Sequence, residues 1–382
     1  MNRVRTLGLR ALLLVLLAVM TTGCMGRGGI TNAGWTVVSA QDNVVYTVLA
    51  SGQVAALDAS KNGETIWTYP PQSADAGAPG CSIAGGGSNG PLPLDAVYGT
   101  PVVEGDLLLV TSFDHHLYVF DRNSGEKLWD YAVEEAIIGG VTLYDGVAYF
   151  GSADHHVYAV SLDTQDMVWA SPFATGERVW GAPAVDAERV YIGSMDHVVY
   201  ALDRQTGAEV WRKDVGCSVP GSVTLADGKL LVGGVDKRLR ALDAASGAEL
   251  WRTEELEGWI WGEALAHNGA VYFGSLGGRV YGLNLADGTP LWVPVEVQGA
   301  VRAGPVLQGE QIIVGTDAGY LYSINAANGV VDTLSDQITG GVLSQPAVQG
   351  DAIYVGSAAG NVYAVDTTLR NPIVWAYPPS QK

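Results

Sequence analysis

Three short stretches carry residue types that could hold a metal ion: Asp114-His115-His116, Asp154-His155-His156 and Asp196-His197. Carboxylate oxygen and imidazole nitrogen are common ligands for transition metals. Asp followed by a polar residue is also what a tight hairpin turn accepts. Equivalent positions elsewhere hold Lys237-Arg238, Gly277-Gly278 and Ala318-Gly319. A slot that tolerates any turn-compatible pair reads as a turn, so no metal is expected. Cys24, Cys81 and Cys217 lie outside any CxxC or Cys/His spacing, which argues against zinc. No Ser/His/Asp nucleophile motif and no phosphate-cradling Gly loop is present. The pairs Glu134-Glu135 and Glu254-Glu255 read as solvated loop residues. The sequence thus offers no catalytic residue and calls for no cofactor, and the chain reads as a non-enzyme.

The chemistry that remains is recognition, and a repeat must position it. Val190–Trp211 alternates apolar and polar residues, turns at Met195-Asp196-His197, alternates again, turns at Asp203–Gly207 and ends on Trp211. Period-two alternation broken by Asp and Gly turns is the pattern of half-buried antiparallel strands. The pattern recurs. Trp129, Trp169, Trp211, Trp251, Trp292, Thr333 and Trp375 follow one another at intervals of 40 to 42, and an irregular first copy ends at Trp67. Eight copies of this length mean an array of supersecondary units. In the fourth copy the strands are expected at 181–185, 190–194, 198–203 and 209–214. One four-stranded sheet cannot bury both faces, whereas copies packed radially can. The expected fold is all-β, an eight-bladed β-propeller of four-stranded antiparallel blades. Trp35–Val38 supplies the first strand and Ile373–Tyr377 the last, so closure needs no strand exchange. Each Trp belongs to an outermost strand and wedges against a neighbouring blade, where its N–H needs a partner.

Two columns of small residues follow from this arrangement. Gly125, Gly207, Gly247, Gly288 and Gly329 fall in the turn before the last strand, where positive φ is convenient. Gln165 breaks that column, which predicts a different turn. Gly99, Gly139, Gly181, Gly221 and Gly262, continued by Ala303 and Ser344, open the innermost strands near the axis. Just before them stand Tyr98, Ile138, Trp180, Pro220, Trp261, Arg302 and Leu343, ringing one mouth of the central channel. Tyr98, Arg178, Trp180, Trp259, Trp261 and Arg302 are not docking residues of the repeat. Aromatics and Arg at an exposed mouth favour binding, and these six are the candidate partner-binding residues. A glycan or other small ligand is the alternative occupant of an aromatic mouth.

The pattern VYxGSxDxxxYALDxxTGxxxW, as it stands in Val190–Trp211, resembles the repeat of PQQ-like β-propellers, over residues 35–378. The resemblance implies the propeller fold. It also raises a PQQ-dependent oxidoreductase as an alternative. Quinoprotein dehydrogenases resemble one another in a vicinal cysteine pair and a Glu, Asn and Asp metal set, and no such constellation can be placed here. An eight-bladed exported lipoprotein is similar instead to the propeller component of the bacterial outer-membrane β-barrel assembly machinery. That similarity implies a scaffold, monomeric as a propeller, that binds envelope proteins.

The address comes from the first residues. Arg3, Arg5 and Arg10 precede an apolar run from Ala11 to Met20 and then Thr21-Thr22-Gly23-Cys24. This reads as a secretory signal over 1–23 that is too short for a comfortable membrane span. Cys24 is the expected lipidated residue, and 24–34 a flexible tether. Membrane contact is then expected only through the lipid. A net charge of −19 argues against binding nucleic acid or anionic lipid. Between Trp67 and Trp129 the spacing grows to 62, and residues 70–95 form a Pro/Gly/Ser-rich insertion. A loop of this length is usually functional or disordered. It returns at Tyr98, beside the mouth. Cys81 lies in it, and Cys217 lies just before the innermost strand of the fifth copy. A Cys81–Cys217 disulfide would pin the loop across the channel as a lid.

Overall fold

The computed structural model describes residues 34–71, 91–335, 338–369 and 372–379. Eight four-stranded sheets, each in sequential antiparallel order, follow one another along the chain. Blade 1 runs from Val37 to Tyr69, blade 2 from Val102 to Ala132, blade 3 from Thr142 to Ala174 and blade 4 from Ala184 to Asp214. Blades 5 to 8 span Thr224–Arg252, Leu265–Glu296, Val306–Ser335 and Ala347–Tyr377. The expected eight-bladed propeller is the fold. The two middle strands of each blade supply the core, because their alternate residues pack against the blades on either side. Val190, Ile192, Val199 and Leu202, for example, are all fully buried.

The ring closes without exchanging a strand: Ile373–Tyr377 pairs within blade 8, and Val37–Gln41 within blade 1. Ser344 Oγ of blade 8 donates to the Thr36 carbonyl at 2.8 Å, joining the first and last blades at the hub. Blade 1 begins two residues later than the sequence predicts, at Val37, which leaves Trp35 outside the strand. The innermost strand of blade 4 is shortened to Ala184–Val185. Its Gly181 end bends toward the neighbouring hub backbone rather than continuing the ladder, as the contacts of that glycine below require.

The tryptophans dock between blades as expected, but Trp169 and Trp292 stand in the connections before the short outermost strands of blades 3 and 6 rather than in those strands. Trp67, Trp169, Trp211, Trp251 and Trp292 donate Nε1–H to the carbonyls of Arg122, Arg204, Ala244, Leu285 and Ala326 in the following blades, at 2.8–3.2 Å. The turn glycines sit under these rings. A Cβ on Gly125, Gly207, Gly247, Gly288 or Gly329 would lie 2.4–2.8 Å from the indole of the preceding blade. These glycines therefore serve close approach as well as positive φ. Gln165 corrects one expectation. Its turn does not differ, because Gln165 holds φ +61° and so keeps the left-handed geometry with a side chain.

A β-bulge aims the docking ring in five blades. In blades 1, 2, 4, 5 and 8 the Trp pairs with the third strand while the residue before it is skipped; Ala201 faces Trp211, for instance, and Leu202 faces Glu209. The skipped residues, Ile66, Leu128, Val210, Leu250 and Val374, are 46–48% exposed. An extra residue re-aims its neighbours, so one aliphatic side chain points out while the Trp turns toward the next blade. Blade 7, where Thr333 replaces the Trp, has its irregularity elsewhere, between Leu321 and Tyr322.

Candidate functional site

The hub is built from backbone. A Cβ on Gly99, Gly139, Gly181, Gly221 or Gly262 would lie 2.1–2.7 Å from main-chain atoms of the next blade. Only minimal side chains let eight innermost strands converge this closely. The residues just before this ring are consequently lifted to the channel mouth, as the sequence implies.

The hairpins between the second and third strands lie on the same face. Each hydrogen-bonds to the connection entering its own blade: Phe113 N donates to Ala96 O, Met195 N to Arg178 O, Leu276 N to Trp259 O and Asp317 N to Ala300 O. The insertion rejoins there too. Leu94 N donates to Gly52 O in the blade 1 hairpin, and Asp95 N to Asp114 Oδ2 in the blade 2 hairpin. Residues 72–90, with Cys81, lie outside the described residues, as do Cys24, the signal stretch and residues 24–33 of the tether.

Two aromatic pairs occupy the mouth. The register of blade 1 puts Trp35 in the same column as Tyr98 and Trp180, and its ring meets Tyr98 edge-on, with centroids 5.1 Å apart. Trp35 is a mouth residue that the sequence reading assigned to a strand. Its signal was available: Gly34-Trp35-Thr36 matches Trp180-Gly181 once a small hub residue is required after the aromatic. Trp180 of blade 4 and Trp261 of blade 6 reach each other across Pro220 of blade 5, centroids 6.1 Å apart and planes inclined 38°. Trp180 Nε1 is closed off from water with no acceptor. Trp259 is half-buried two residues upstream. Arg302 faces Asp317 at 3.8 Å, both about a third exposed. Arg178 is exposed. The structure brings Trp180 and Trp261 together, and places Tyr98 with Trp35 and Phe113 instead.

Beneath the mouth stands a residue that sequence reading missed. Glu263 directly follows hub residue Gly262, and its Cβ and carbonyl border Gly304 of blade 7. Its side chain is exposed, yet the protein around it raises its carboxyl above the usual carboxylate range by displacing part of its hydration. Glu263 thus stands in a narrow wet channel, open to solvent but partly dehydrated by its walls. Among the described residues it makes no hydrogen bond or ion pair. A carboxyl with raised folded-state pKa favours the protonated form, so stability falls as pH rises above about 4.3, the free glutamate value. Glu263→Gln is expected to raise the melting temperature at pH 7 and to leave it unchanged near pH 3. An equal gain at both values would show that the ionised carboxylate is not the cause.

The Asp-His turns are structural. His115, His155 and His197 sit at the left-handed hairpin position, φ +71° to +76°. The preceding aspartates accept from the Tyr four residues on: Tyr118 to Asp114 at 3.0 Å, Tyr158 to Asp154 and Tyr200 to Asp196 at 2.7 Å each. The same carboxylates take a backbone N–H of the incoming connection, from Asp95, Glu134 and Gly176. In blades 6 and 7, where Gly277 and Ala318 replace the Asp, the hydroxyls of Tyr281 and Tyr322 accept the backbone N–H directly. Blade 5 varies the theme. Arg240 replaces the Tyr and pairs with Asp236, and Cys217 Sγ donates to Asp236 at 3.2 Å. Burial, then that hydrogen bond, pushes the Cys217 thiol up to about 11, so it is not a ready nucleophile. Among the described residues no three His, Cys, Asp or Glu side chains gather to hold a metal ion.

Fold and site together define a propeller with an aromatic mouth and a hub of close main-chain contacts. A family model described as "Outer membrane protein assembly factor BamB" matches residues 30–171 and 167–377, and the chain belongs to that family. BamB from Moraxella catarrhalis superposes with a TM-score of 0.67 at 19% identity, over 86% of this chain and 95% of that one. The computationally designed Ika8 protein superposes at 0.70 with 15% identity, over 88% and 96%. These likenesses concern the fold. A quinoprotein alcohol dehydrogenase, PedH of Pseudomonas putida, is 26% identical over 97 residues, which is 22% of this chain and 16% of that protein. The chain thus spans a small part of that relative's length. The vicinal cysteine pair is absent from the sequence, and among the described residues the carboxylates near the mouth, Glu263 and Asp317, do not gather with a third into a metal set. The residues present do not fit a quinone–metal site.

Proposed function

We propose that this chain is a non-catalytic scaffold of the bacterial envelope, exported and held at a membrane through a lipid on Cys24, that binds envelope proteins during outer-membrane protein assembly. The observation that carries the reading is the mouth. Trp35, Tyr98, Trp180, Trp259, Trp261, Arg178 and Arg302 lie on one face, partly open, and none of them is the repeat Trp that wedges between blades. Aromatic and Arg side chains in a partly desolvated cluster are typical binding anchors. Membership of the family supports the assembly role, and the acidic surface suits a soluble body beside a membrane. Among the described residues no helix is long and apolar enough to cross a bilayer. A Cys81–Cys217 bridge would hold the insertion over this face and would replace the Cys217 thiol's hydrogen bond to Asp236.

Affinity capture from the native envelope tests the proposal. Wild-type protein should retain a discrete partner, and Trp180→Ala with Trp261→Ala should reduce capture by about tenfold or more while leaving the fold intact. Unchanged capture by the double variant would move the binding surface elsewhere.

A further inference from the structure

We propose that the Trp180–Trp261 pair and Glu263 form a receptor for an organic cation, the guanidinium or ammonium of an Arg or Lys side chain presented by a protein partner.

Three features of the channel point there. Two indole faces lie side by side at the mouth, tilted by 38° with centroids 6.1 Å apart. Indole offers the strongest face of any side chain for a cation. Glu263 stands two residues inward of Trp261, past Gly262, so ring and carboxylate lie at successive depths of one opening. That carboxylate is exposed, has no partner among the described residues and is partly dehydrated by the protein around it. A carboxylate so placed gains more from an incoming positive charge than a hydrated one does.

The surroundings favour this charge sign. The residues following the hub ring in other blades are Thr100, Gly140, Ala182, Ser222, Gly304 and Gln345, all uncharged, so Glu263 is the charge of that layer. The nearest mouth cation in the column, Arg302, faces Asp317 instead. With 40 acidic against 21 basic residues, the whole chain also attracts cations.

The mouth continues past the pair through half-buried Trp259 and exposed Arg178, more surface than a free amine covers, which favours a cation carried on a polypeptide. The inference rests on the mouth being a binding face, and adds what chemistry it selects.

Titration of the full chain with three short blocked peptides tests it, followed by calorimetry: Gly-Arg-Gly, its citrulline counterpart and Gly-Glu-Gly. Citrulline keeps the shape of Arg and removes the charge. The Arg peptide should bind at least about tenfold more tightly than the citrulline peptide. Glu263→Gln and Trp261→Ala should each abolish that preference. Free guanidinium and tetramethylammonium should bind more weakly than the Arg peptide; equal binding would assign the site to free cations and overturn the partner side chain as its source. Equal binding of Arg and citrulline peptides, or preference for the Glu peptide through Arg178 and Arg302, would overturn the cation receptor. If envelope capture is lost in the Trp variants but persists in Glu263→Gln, the mouth binds a partner without a cation. If capture survives all of them, the mouth is not the binding face.

Discussion

Trp211→Ala lowers the unfolding free energy by about 3–5 kcal/mol. The ring packs on Tyr191 at 6.1 Å, covers Gly247 of the next blade and donates to the Ala244 carbonyl at 3.0 Å. Truncation opens a cavity at the seam between blades 4 and 5 and removes the donor. The bulge supplies an internal control: Val210, the residue before the ring, is 47% exposed, so Val210→Ser should change stability by no more than about 0.5 kcal/mol. Chemical denaturation of both variants checks the pair. Equal midpoints would remove the Trp from its place as the inter-blade wedge.

Gly221→Val is the second large effect, about 3 kcal/mol. A Cβ there would lie 2.1 Å from the Trp261 carbonyl oxygen, and that contact is backbone, so no side chain can step aside. Blades 5 and 6 must part at the hub, and Trp261 must move with them. Partner capture should therefore fall together with stability. Gly228→Ala separates crowding from backbone conformation: that glycine has φ +70° but open space around it. Left-handed strain alone costs about 1–2 kcal/mol. A Gly221→Val protein as stable as the parent would contradict a hub sealed by main-chain contact.

Much of this was legible because repetition averages away local ambiguity. One Tyr-to-Trp spacing is weak, but the same spacing in successive copies fixes the number of blades, the outermost strand and the turn glycines together. The mouth column followed from strand order. What was missed has particular causes. Trp35 looked like strand because it begins an apolar run, and only pairing of Gln41 with Val44 places it at the mouth. The bulge was invisible because a skipped aliphatic residue preserves the apolar pattern on both sides. Gln165 was misread because a left-handed turn was equated with glycine, although polar residues also adopt it. Glu263 was passed over because a lone acid in a repeat resembles a solvated loop residue, and channel depth is a property of the closed ring.

The channel mouth, rather than the rim, is expected to meet the partner. Photo-crosslinking in the native envelope, with a photoreactive residue placed at Trp180 or at Val210, measures this directly. A discrete adduct is expected from position 180 and none from position 210. An adduct from the rim with a silent mouth would contradict it.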